Sequence, residues 1–599
     1  MVCPAVRYGP ISLWGLPSCS TALIALVACG GGGAAGTTAP APDREATACE
    51  APADLVMIGG DVRTMDPDHL EATALAVRDG AIVAVGSDAE IRAYIGADTR
   101  YLPLDGRTVT PGLIDAHAHL FGLGSAMETV SLRDLDSEEA AARAAADAAA
   151  QMPAGEWVTG RGWDQTLWAG QAFPTRASLD AVVADRPVAV RRVDGHALWA
   201  NSVAIELAGV TKRTVNPKGG KIVRDKRGVP TGVFVDSAMN LIESKIPAPS
   251  ADVRRRRILA AARVAVAQGL TAVHEMGIDD ETIAVYRELA ADGELPLRIY
   301  ALLSYYGGFI ADLPERKRYL DDSTAGMFTL RAVKAYADGA LGSRGAALLE
   351  PYSDDPGNRG LMVVEPDELA RIADAAAANG WQLAVHAIGD RGNRAALDAF
   401  ETAQAAHPDA APRFRVEHAQ VLALDDIPRF AALGVIASMQ PTHCTSDMRW
   451  AEARVGSERI LGAYAWRRLL DANARLAAGS DFPVEGVSPL LGVYAAVTRQ
   501  DAAGSPKGGW YPDQRLELDE ALRLFTADAA YAEFAEARRG WLAPGMLADI
   551  TVFDRTLAPD RTLLEATVEA TVVGGRVVHN SSWAQGKLAA TAPSDVLCR

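Results

Sequence analysis

The chain is poor in positive charge. It has 59 lysine and arginine residues against 76 aspartate and glutamate residues, a net charge of −17 over 599 residues. Such an acidic surface repels the phosphate backbone of DNA and RNA, so a nucleic-acid partner is not expected. The sequence also lacks a Gly-x-Ser-x-Gly motif, which disfavours a serine hydrolase with a nucleophile elbow. With 49% apolar residues, the composition is that of a globular protein with a sizeable core.

The apolar run near the N-terminus, residues 21–28, is too short to cross a bilayer. It is typical of the core of a signal peptide, which we predict at residues 1–28. The run ends at Leu26-Val-Ala-Cys-Gly30, which is similar to a bacterial lipoprotein cleavage site, so we expect export and a lipid anchor at Cys29 as the only membrane contact. Residues 29–52 have the composition of a flexible tether. A plain signal peptide followed by a chance cysteine is the alternative.

Two regions at opposite ends of the body, residues 53–108 and 540–580, share the pattern of β-hairpins. Both alternate β-forming residues around Gly-Gly or Asp-Gly turns. Neither has enough strands to bury a core alone, so we predict one small β-sandwich domain built from both ends. Residues 581–599 are predicted to be a C-terminal tail.

Cysteine is scarce, with six residues in the whole chain. Cys49 and Cys598 lie just outside the two ends of the folded body. If those ends meet in one domain, the two thiols can pair in an oxidising compartment. We therefore hypothesise a Cys49–Cys598 disulfide, with two free terminal thiols as the alternative.

Residues 109–539 alternate short apolar strands with alanine-rich helices, the pattern of an α/β protein with a parallel sheet covered on both faces. Eight units of this kind predict a (β/α)8 TIM-type barrel. The predicted strands cover residues 112–116, 271–274, 297–302, 331–336, 382–386, 414–418, 435–439 and 475–479. The longest interval follows the first strand, so residues 120–260 are predicted to be an insertion that caps the catalytic face.

Histidines cluster at the ends of the predicted strands. Alternate residues of a strand project to one side, so His117 and His119 can bind one metal ion together. His386 and His418 end two further strands, and Asp481 follows the eighth. Because barrel active sites lie at the carboxyl ends of the strands, this pattern predicts a metal site there.

Lys334 stands on the fourth predicted strand. A lysine there can be a surface residue with its amine in water. If it is buried beside cations, its amine stays neutral and can capture carbon dioxide to form a carbamate that bridges two metal ions.

This arrangement resembles the amidohydrolase superfamily. Longer stretches are similar to its family 3 branch, which includes N-substituted formamide deformylases. They are Gly160-Arg-Gly-Trp-Asp164, Asp194-Gly-His-Ala-Leu-Trp-Ala-Asn201, Val333-Lys-Ala-Tyr-Ala-Asp-Gly-Ala-Leu-Gly-Ser-Arg344, His386-Ala-Ile-Gly-Asp390, Glu417-His-Ala-Gln420, Gln440-Pro-Thr-His443 and Gly479-Ser-Asp-Phe-Pro-Val484. The resemblance spans residues 53–580.

The resemblance implies that His117, His119 and Asp481 hold a first metal ion. It implies that His386 and His418 hold a second, with carboxylated Lys334 as a bridge. Family members bind one or two ions, and nitrogen and carboxylate ligands favour zinc, with other divalent ions as the alternative.

The expected reaction is hydrolysis of a carbon–nitrogen bond other than a peptide bond, in a small-molecule amide such as an N-substituted formamide. A bound cation lowers the pKa of its water to about 7 and polarises the carbonyl group. Asp481 is expected to accept the proton of that water and to pass it to the leaving nitrogen.

Several residues are candidates for substrate contacts. His196 can hydrogen-bond the substrate carbonyl or can be a packed histidine of the cap. Trp163 and Trp199, with Trp168, can line an aromatic pocket or form the core of the cap. Arg344 can bind a carboxylate or pair with an acidic neighbour. His443 is expected to face the same site from the end of the seventh strand.

Hydrolysis of lactones or other esters at the same metal site is the main alternative. Deamination is disfavoured by the same resemblance. The deaminase relatives lack the bridging lysine and carry a glutamate shortly after the histidine of strand five, whereas this sequence has Lys334 and no glutamate soon after His386. A non-catalytic lipoprotein that binds a ligand is an alternative of another class, although buried charged ligands without a metal would be costly. The sequence leaves the oligomeric state open, and a homodimer is compatible with it.

Overall fold

The computed structural model describes residues 49–152, 155–320, 325–588, 591–593 and 596–598. The predicted signal peptide, Cys29 and most of the predicted tether lie outside the described residues. Within the described ranges, no helix is both long enough and apolar enough to cross a membrane.

The described chain begins with five strands and a short helix. The first three strands pair antiparallel, and the fourth and fifth pair parallel with the first. Asp79 and Gly80, both with positive φ, make the tight turn between the second and third strands. The elements are β1 (Leu55–Arg63), β2 (Glu71–Arg78), β3 (Ala81–Gly86), α1 (Asp88–Ile91), β4 (Arg100–Pro103) and β5 (Thr108–Pro111).

The chain then enters the barrel through β6 (Leu113–Ala118) and α2 (Leu120–Met127) and leaves it for a separate six-stranded sheet, the cap. The strand order of the cap is β11-β12-β10-β9-β8-β7. Its elements are β7 (Val130–Ser131), α3 (Glu138–Ala149), β8 (Val158–Trp163), α4 (Arg176–Asp180), β9 (Val188–Arg192), β10 (Ala197–Ala200), α5 (Ser202–Leu207), β11 (Gly220–Arg224), β12 (Pro230–Asp236) and α6 (Asn240–Glu243).

The remaining barrel follows as alternating strands and helices. The elements are α7 (Ala251–Ala267), β13 (Leu270–Ile278), α8 (Asp280–Ala291), β14 (Arg298–Ser304), α9 (Phe309–Asp312), β15 (Phe328–Tyr336), α10 (Pro366–Ala378), β16 (Gln382–Ala387), α11 (Asp390–Ala406), β17 (Arg415–His418), α12 (Ile427–Leu433), β18 (Ile436–Met439), α13 (Pro441–Asp447), α14 (Ala451–Arg459), α15 (Trp466–Asp471), β19 (Arg475–Ala478), α16 (Pro489–Thr498), α17 (Leu518–Leu524) and α18 (Ala527–Ala532).

The barrel is a parallel sheet with strand order β19-β18-β17-β16-β15-β14-β13-β6, so the predicted TIM-type fold is confirmed. Each predicted strand overlaps an observed one. The ring closes just beyond β19, where the Asp481 N–H donates to the His117 carbonyl at 2.7 Å. Asp115 accepts hydrogen bonds from the backbone and the hydroxyl group of Ser480 across the same seam. A side chain at Gly479 would clash with the backbone nitrogen of His117, because the two chains approach so closely here.

The C-terminal strands return to the first five. Strands β20 (Ile550–Phe553), β21 (Val568–Val573) and β22 (Arg576–Asn580) join them in one hydrogen-bonded sheet of order β22-β21-β20-β5-β1-β2-β3, with β4 beside β1. Leu55 and Met57 pack on one face, and Val56 and Ile58 pack in a separate apolar cluster. Both ends of the chain therefore build this domain, as one continuous sheet.

The segment predicted to be a tail is folded. It contains α19 (Ser582–Leu588), and beyond it Ala592, Val596 and Leu597 pack against the cluster around Val56. A disulfide joins Cys49 to Cys598, so the hypothesised pairing is confirmed. The tail prediction was wrong because these apolar residues are few and widely spaced, and only the disulfide and the neighbouring sheet give them a partner.

Candidate metal centre

Six side chains from the carboxyl ends of five barrel strands line one cavity of about 390 Å3. They are His117, His119, Lys334, His386, His418 and Asp481. The parallel order of β6, β15, β16, β17 and β19 brings these positions to one edge of the barrel. The sequence prediction therefore gathered residues that the structure places together.

The tightest part of this group is formed by His117, His418 and Asp481. One ligand atom from each lies within 4.8 Å of the others, and all three side chains are buried. His119 Nε2 lies 3.2 Å from Asp481 Oδ1, and the ring of His386 lies 4.5 Å from that of His418, centroid to centroid. The core of the site thus combines residues that the sequence assigned to two different ions.

Hydrogen bonds fix which ring nitrogens face the cavity. His117 Nδ1 lies 2.6 Å from Glu417 Oε2, and His418 Nδ1 lies 2.7 Å from Gln440 Oε1. Both partners are oxygen acceptors, so each Nδ1 carries the proton and each Nε2 is free to bind a metal ion. A second partner that fixes the tautomer in this way is typical of metal-binding histidines.

The protonation states suit a cation. Burial lowers the pKa of His117 to about 4 and lowers those of His386 and His418 well below the usual value, so these rings are neutral. Burial alone would raise the pKa of Asp481, but hydrogen bonds from His119 and His443 hold it well below the usual value. His386 Nε2 is buried without a hydrogen-bond partner. Neutral imidazoles and an ionised carboxylate with free atoms fit a divalent metal ion.

The backbone at two of these residues is in the left-handed region. His418 has φ 73° and Asp481 has φ 59°. Residues other than glycine rarely adopt this conformation, and such strain is concentrated at functional sites. Here it turns both side chains into the cavity at the ends of their strands.

A buried charged chain supports the site from inside the barrel, and the sequence reasoning missed it. Arg415 Nε donates to Glu417 Oε1 at 2.7 Å, and Glu417 in turn accepts from His117. On its other side Arg415 Nη1 lies 2.8 Å from His274 Nδ1, and His274 Nε2 lies 3.5 Å from Glu533. The available signal was the Arg-Val-Glu triplet of β17, whose first and third residues point to one face of the strand.

The cap contributes His196 to the site. Its ring lies 5.0 Å from that of His386, and its Nδ1 lies 2.8 Å from Asp236 Oδ1. Burial lowers the pKa of His196, but the hydrogen bond to Asp236 outweighs it, so the net pKa is raised. His443 also faces the site, with Nε2 at 3.3 Å from Asp481 Oδ2 and Nδ1 at 3.4 Å from Glu485.

The other predicted substrate contacts lie elsewhere. Trp163 and Trp199 are fully buried and pack with Trp168 in the core of the cap, with their indole N–H groups bonded to backbone carbonyls. Arg344 pairs with Asp354 at 3.0 Å and lines none of the three cavities that reach the candidate metal-binding residues. For these residues the structure shows the alternatives that the sequence left open, since a small cap uses its large rings for its own core and an acidic neighbour already neutralises the arginine.

Comparisons with known proteins agree with this geometry. The sequence matches the Amidohydrolase family over residues 103–579. It is 36% identical over 539 residues to Protein LONG AFTER FAR-RED 3 from Arabidopsis thaliana, covering 88% of this chain and 92% of that one. It is 30% identical over 521 residues to N-substituted formamide deformylase from Arthrobacter pascens, covering 84% and 93%.

Among solved structures, the chain is similar to an uncharacterized metal-dependent hydrolase from Pyrococcus horikoshii OT3. The TM-score is 0.67 at 29% identity, over 84% of this chain and 97% of that one. A barrel whose carboxyl edge carries histidines and a carboxylate that could hold a metal ion, together with a family match over most of its length, identifies this chain as a member of the amidohydrolase family.

Proposed function

We propose that this amidohydrolase cleaves the carbon–nitrogen bond of N-substituted formamides or other N-acyl amides. Water adds to the carbonyl carbon and the C–N bond breaks, which releases a carboxylic acid and an amine. The observation that carries the proposal is the convergence of His117, His418 and Asp481 on one buried point at the carboxyl edge of the barrel. The 30% identity to a formamide deformylase supports the choice of bond.

We further propose that one or two zinc or other divalent ions are held by His117, His119, His386, His418 and Asp481. A bound ion would acidify a water molecule and polarise the substrate carbonyl. His196 from the cap lines the same cavity, with its ring 5.0 Å from that of His386, centroid to centroid.

Asp481 would transfer the proton, and His196 would orient the substrate carbonyl. Asp481, held ionised, accepts the proton of the attacking water and delivers it to the amide nitrogen, which leaves poorly unless it is protonated. His196, anchored through Nδ1 to Asp236, points its other nitrogen to the cavity and donates a hydrogen bond to the carbonyl oxygen as negative charge develops there.

The test is amine release from a panel of N-formyl, N-acetyl and N-acyl-amino-acid amides by zinc-supplemented protein lacking residues 1–29. We expect release from one class, and none from a His386→Ala variant that is as stable as the parent. Hydrolysis of lactones or esters alone would contradict the proposal. So would silence towards the whole panel with zinc bound.

We also propose that Lys334 is carboxylated. It is buried and lines the cavity with the histidines. Burial lowers the pKa of Lys334 to about 8, against the opposing effect of Glu417 and Asp481, so part of the amine is neutral near physiological pH and can attack carbon dioxide. A carbamate there would supply two oxygen ligands.

Metal-stripped protein supplied with zinc should therefore regain activity faster when bicarbonate is added. Lys334→Met should lose this bicarbonate effect and about tenfold or more of its activity, since a metal ligand is gone. A carbonyl signal from labelled bicarbonate in the carbon NMR spectrum should appear in the parent protein and disappear in the variant. Equal reactivation with and without bicarbonate would contradict carboxylation.

Export with a lipid anchor at Cys29 remains part of the proposal. The disulfide between Cys49 and Cys598 supports an oxidising compartment, since such bonds are rare in the cytosol of most organisms. Labelled fatty acid should be incorporated into the expressed full chain and not into Cys29→Ala. Equal labelling of both would contradict the anchor.

A further inference from the structure

Arg161, in β8 of the cap, lines the metal cavity and a second cavity beside it. Its Nε and Nη2 both donate to the Val193 carbonyl, at 3.2 and 2.9 Å. Within the described ranges, Nη1 has no hydrogen-bond partner and no carboxylate pairs with the guanidinium. One positive charge at the edge of the metal cavity is therefore left without a counterion.

The neighbouring Arg191 shows the contrast. It lines the same two cavities, but its Nε pairs with Glu243 at 2.6 Å. For Arg161, burial and the charge of Arg191 lower the pKa to about 10, and the charges of Asp481 and Asp194 offset this only in part. A guanidinium kept charged in a partly desolvated cavity without an acidic partner favours the binding of an anion.

The position of this charge relative to the metal centre is set by Gly195. A Cβ atom added there would lie 3.1 Å from Arg161 Nη2, so the guanidinium packs against the residue that precedes His196. The ring of His196 lies 5.0 Å from that of His386. A substrate group bound to Arg161 would therefore share one cavity with a carbonyl group held between His196 and the candidate metal-binding residues.

The second cavity, of about 750 Å3, supplies room for an apolar group on the same substrate. It joins the metal cavity, because His119, Gly122, Arg161, Arg191 and Glu243 line both. Much of its remaining wall is apolar and includes Phe121, Leu198, Ile246, Pro247, Val253 and Met276. The charge of Arg161 lies at the junction of the two spaces.

We infer that Arg161 binds a carboxylate of the substrate, so that the substrates are N-acyl amino acids or similar amides with an acidic group beside a bulky apolar one. This inference rests on the proposed amide hydrolysis for the reaction, but the anion site itself does not depend on it. Arginine suits this role because its planar fork matches the two oxygens of a carboxylate.

The test measures binding of two ligands that cannot be hydrolysed, 3-phenylpropanoate and 3-phenylpropan-1-ol, to the zinc-loaded chain by calorimetry. We expect the acid to bind the parent about tenfold or more tightly than the alcohol, as for a charge-assisted hydrogen bond. Arg161→Met should remove this preference, and Arg161→Lys should keep part of it. Melting temperatures close to that of the parent would show that both variants fold.

The matched control is Arg191→Gln combined with Glu243→Gln, which removes a neutralised pair from the same wall and should keep the preference for the acid. A preference that survives in Arg161→Met would overturn the inference, because the metal would then be binding the carboxylate. Equal binding of acid and alcohol by the parent would also overturn it. Loss of the preference in Arg161→Met, with no amide hydrolysed by any variant, would support the anion site and refute only the proposed reaction.

Discussion

Replacing Asp481 by asparagine should lower kcat by about 10⁴-fold, because it removes both a metal ligand and the group proposed to move the proton. The side chain is buried, and the hydrogen bonds from His119 and His443 keep it ionised against the effect of burial. Asparagine has nearly the same shape, but its side chain is a neutral amide and cannot act as a base in place of the carboxylate. The measurement is the rate of amine release from whichever amide class the parent protein hydrolyses in the proposed panel, together with the zinc content of the variant.

Glu485→Gln is the matched control for this change. Glu485 lies on the other side of His443, 3.4 Å from its Nδ1, and lies outside the group of metal-binding residues. We expect its kcat to fall far less than that of Asp481→Asn. Comparable losses in the two variants would show that the acidic surroundings of His443 matter as a whole and would refute a distinct proton-transfer role for Asp481.

The barrel and its ligand residues were predictable because their signals are local. Each strand is a short apolar run, and a histidine or aspartate at its end is visible without knowledge of the partners of that strand. Parallel order then places all the ends at one edge, so His117, His386 and Asp481, far apart in sequence, meet in one cavity. The disulfide followed from the same logic, because Cys49 and Cys598 flank strands that had to pair.

The cap was not predictable in this way. The residues that contact the substrate depend on which face of the small cap sheet is turned towards the barrel. The sequence does not show whether a tryptophan in a strand lies on that face or on the opposite one. Trp163 and Trp199 lie in the core, while Arg161, two residues before Trp163 in the same strand, lines the cavity, because the strand pairing shifts register between them at Gly162, which has φ 116°. The sequence around an arginine also carries no sign of its partner. Arg344 pairs with Asp354, whereas Arg161 has no carboxylate partner among the described residues and lines the metal cavity.

Arg415→Met should destabilise the protein by about 3–5 kcal/mol, because it leaves Glu417 as a buried charge with no guanidinium beside it. Both side chains are fully buried, and Arg415 also donates to the Ala116 carbonyl and to Ser438. The loss should be visible as a lower midpoint of urea unfolding. Zinc affinity should fall as well, by about 10- to 100-fold, since Glu417 orients His117.

The double variant Arg415→Met with Glu417→Gln separates charge from packing. Glutamine can still accept a hydrogen bond from His117 Nδ1 through its amide oxygen. The double variant should therefore be more stable than Arg415→Met alone by about 1–3 kcal/mol, the cost of an unsatisfied buried group. Arg256→Met breaks a solvent-exposed pair with Glu128 and should change the stability far less than Arg415→Met. If Arg415→Met were as mild as Arg256→Met, the barrel interior would have to admit water to Glu417. If the double variant were the least stable of all, the loss would come from the packing of Arg415 rather than from its charge.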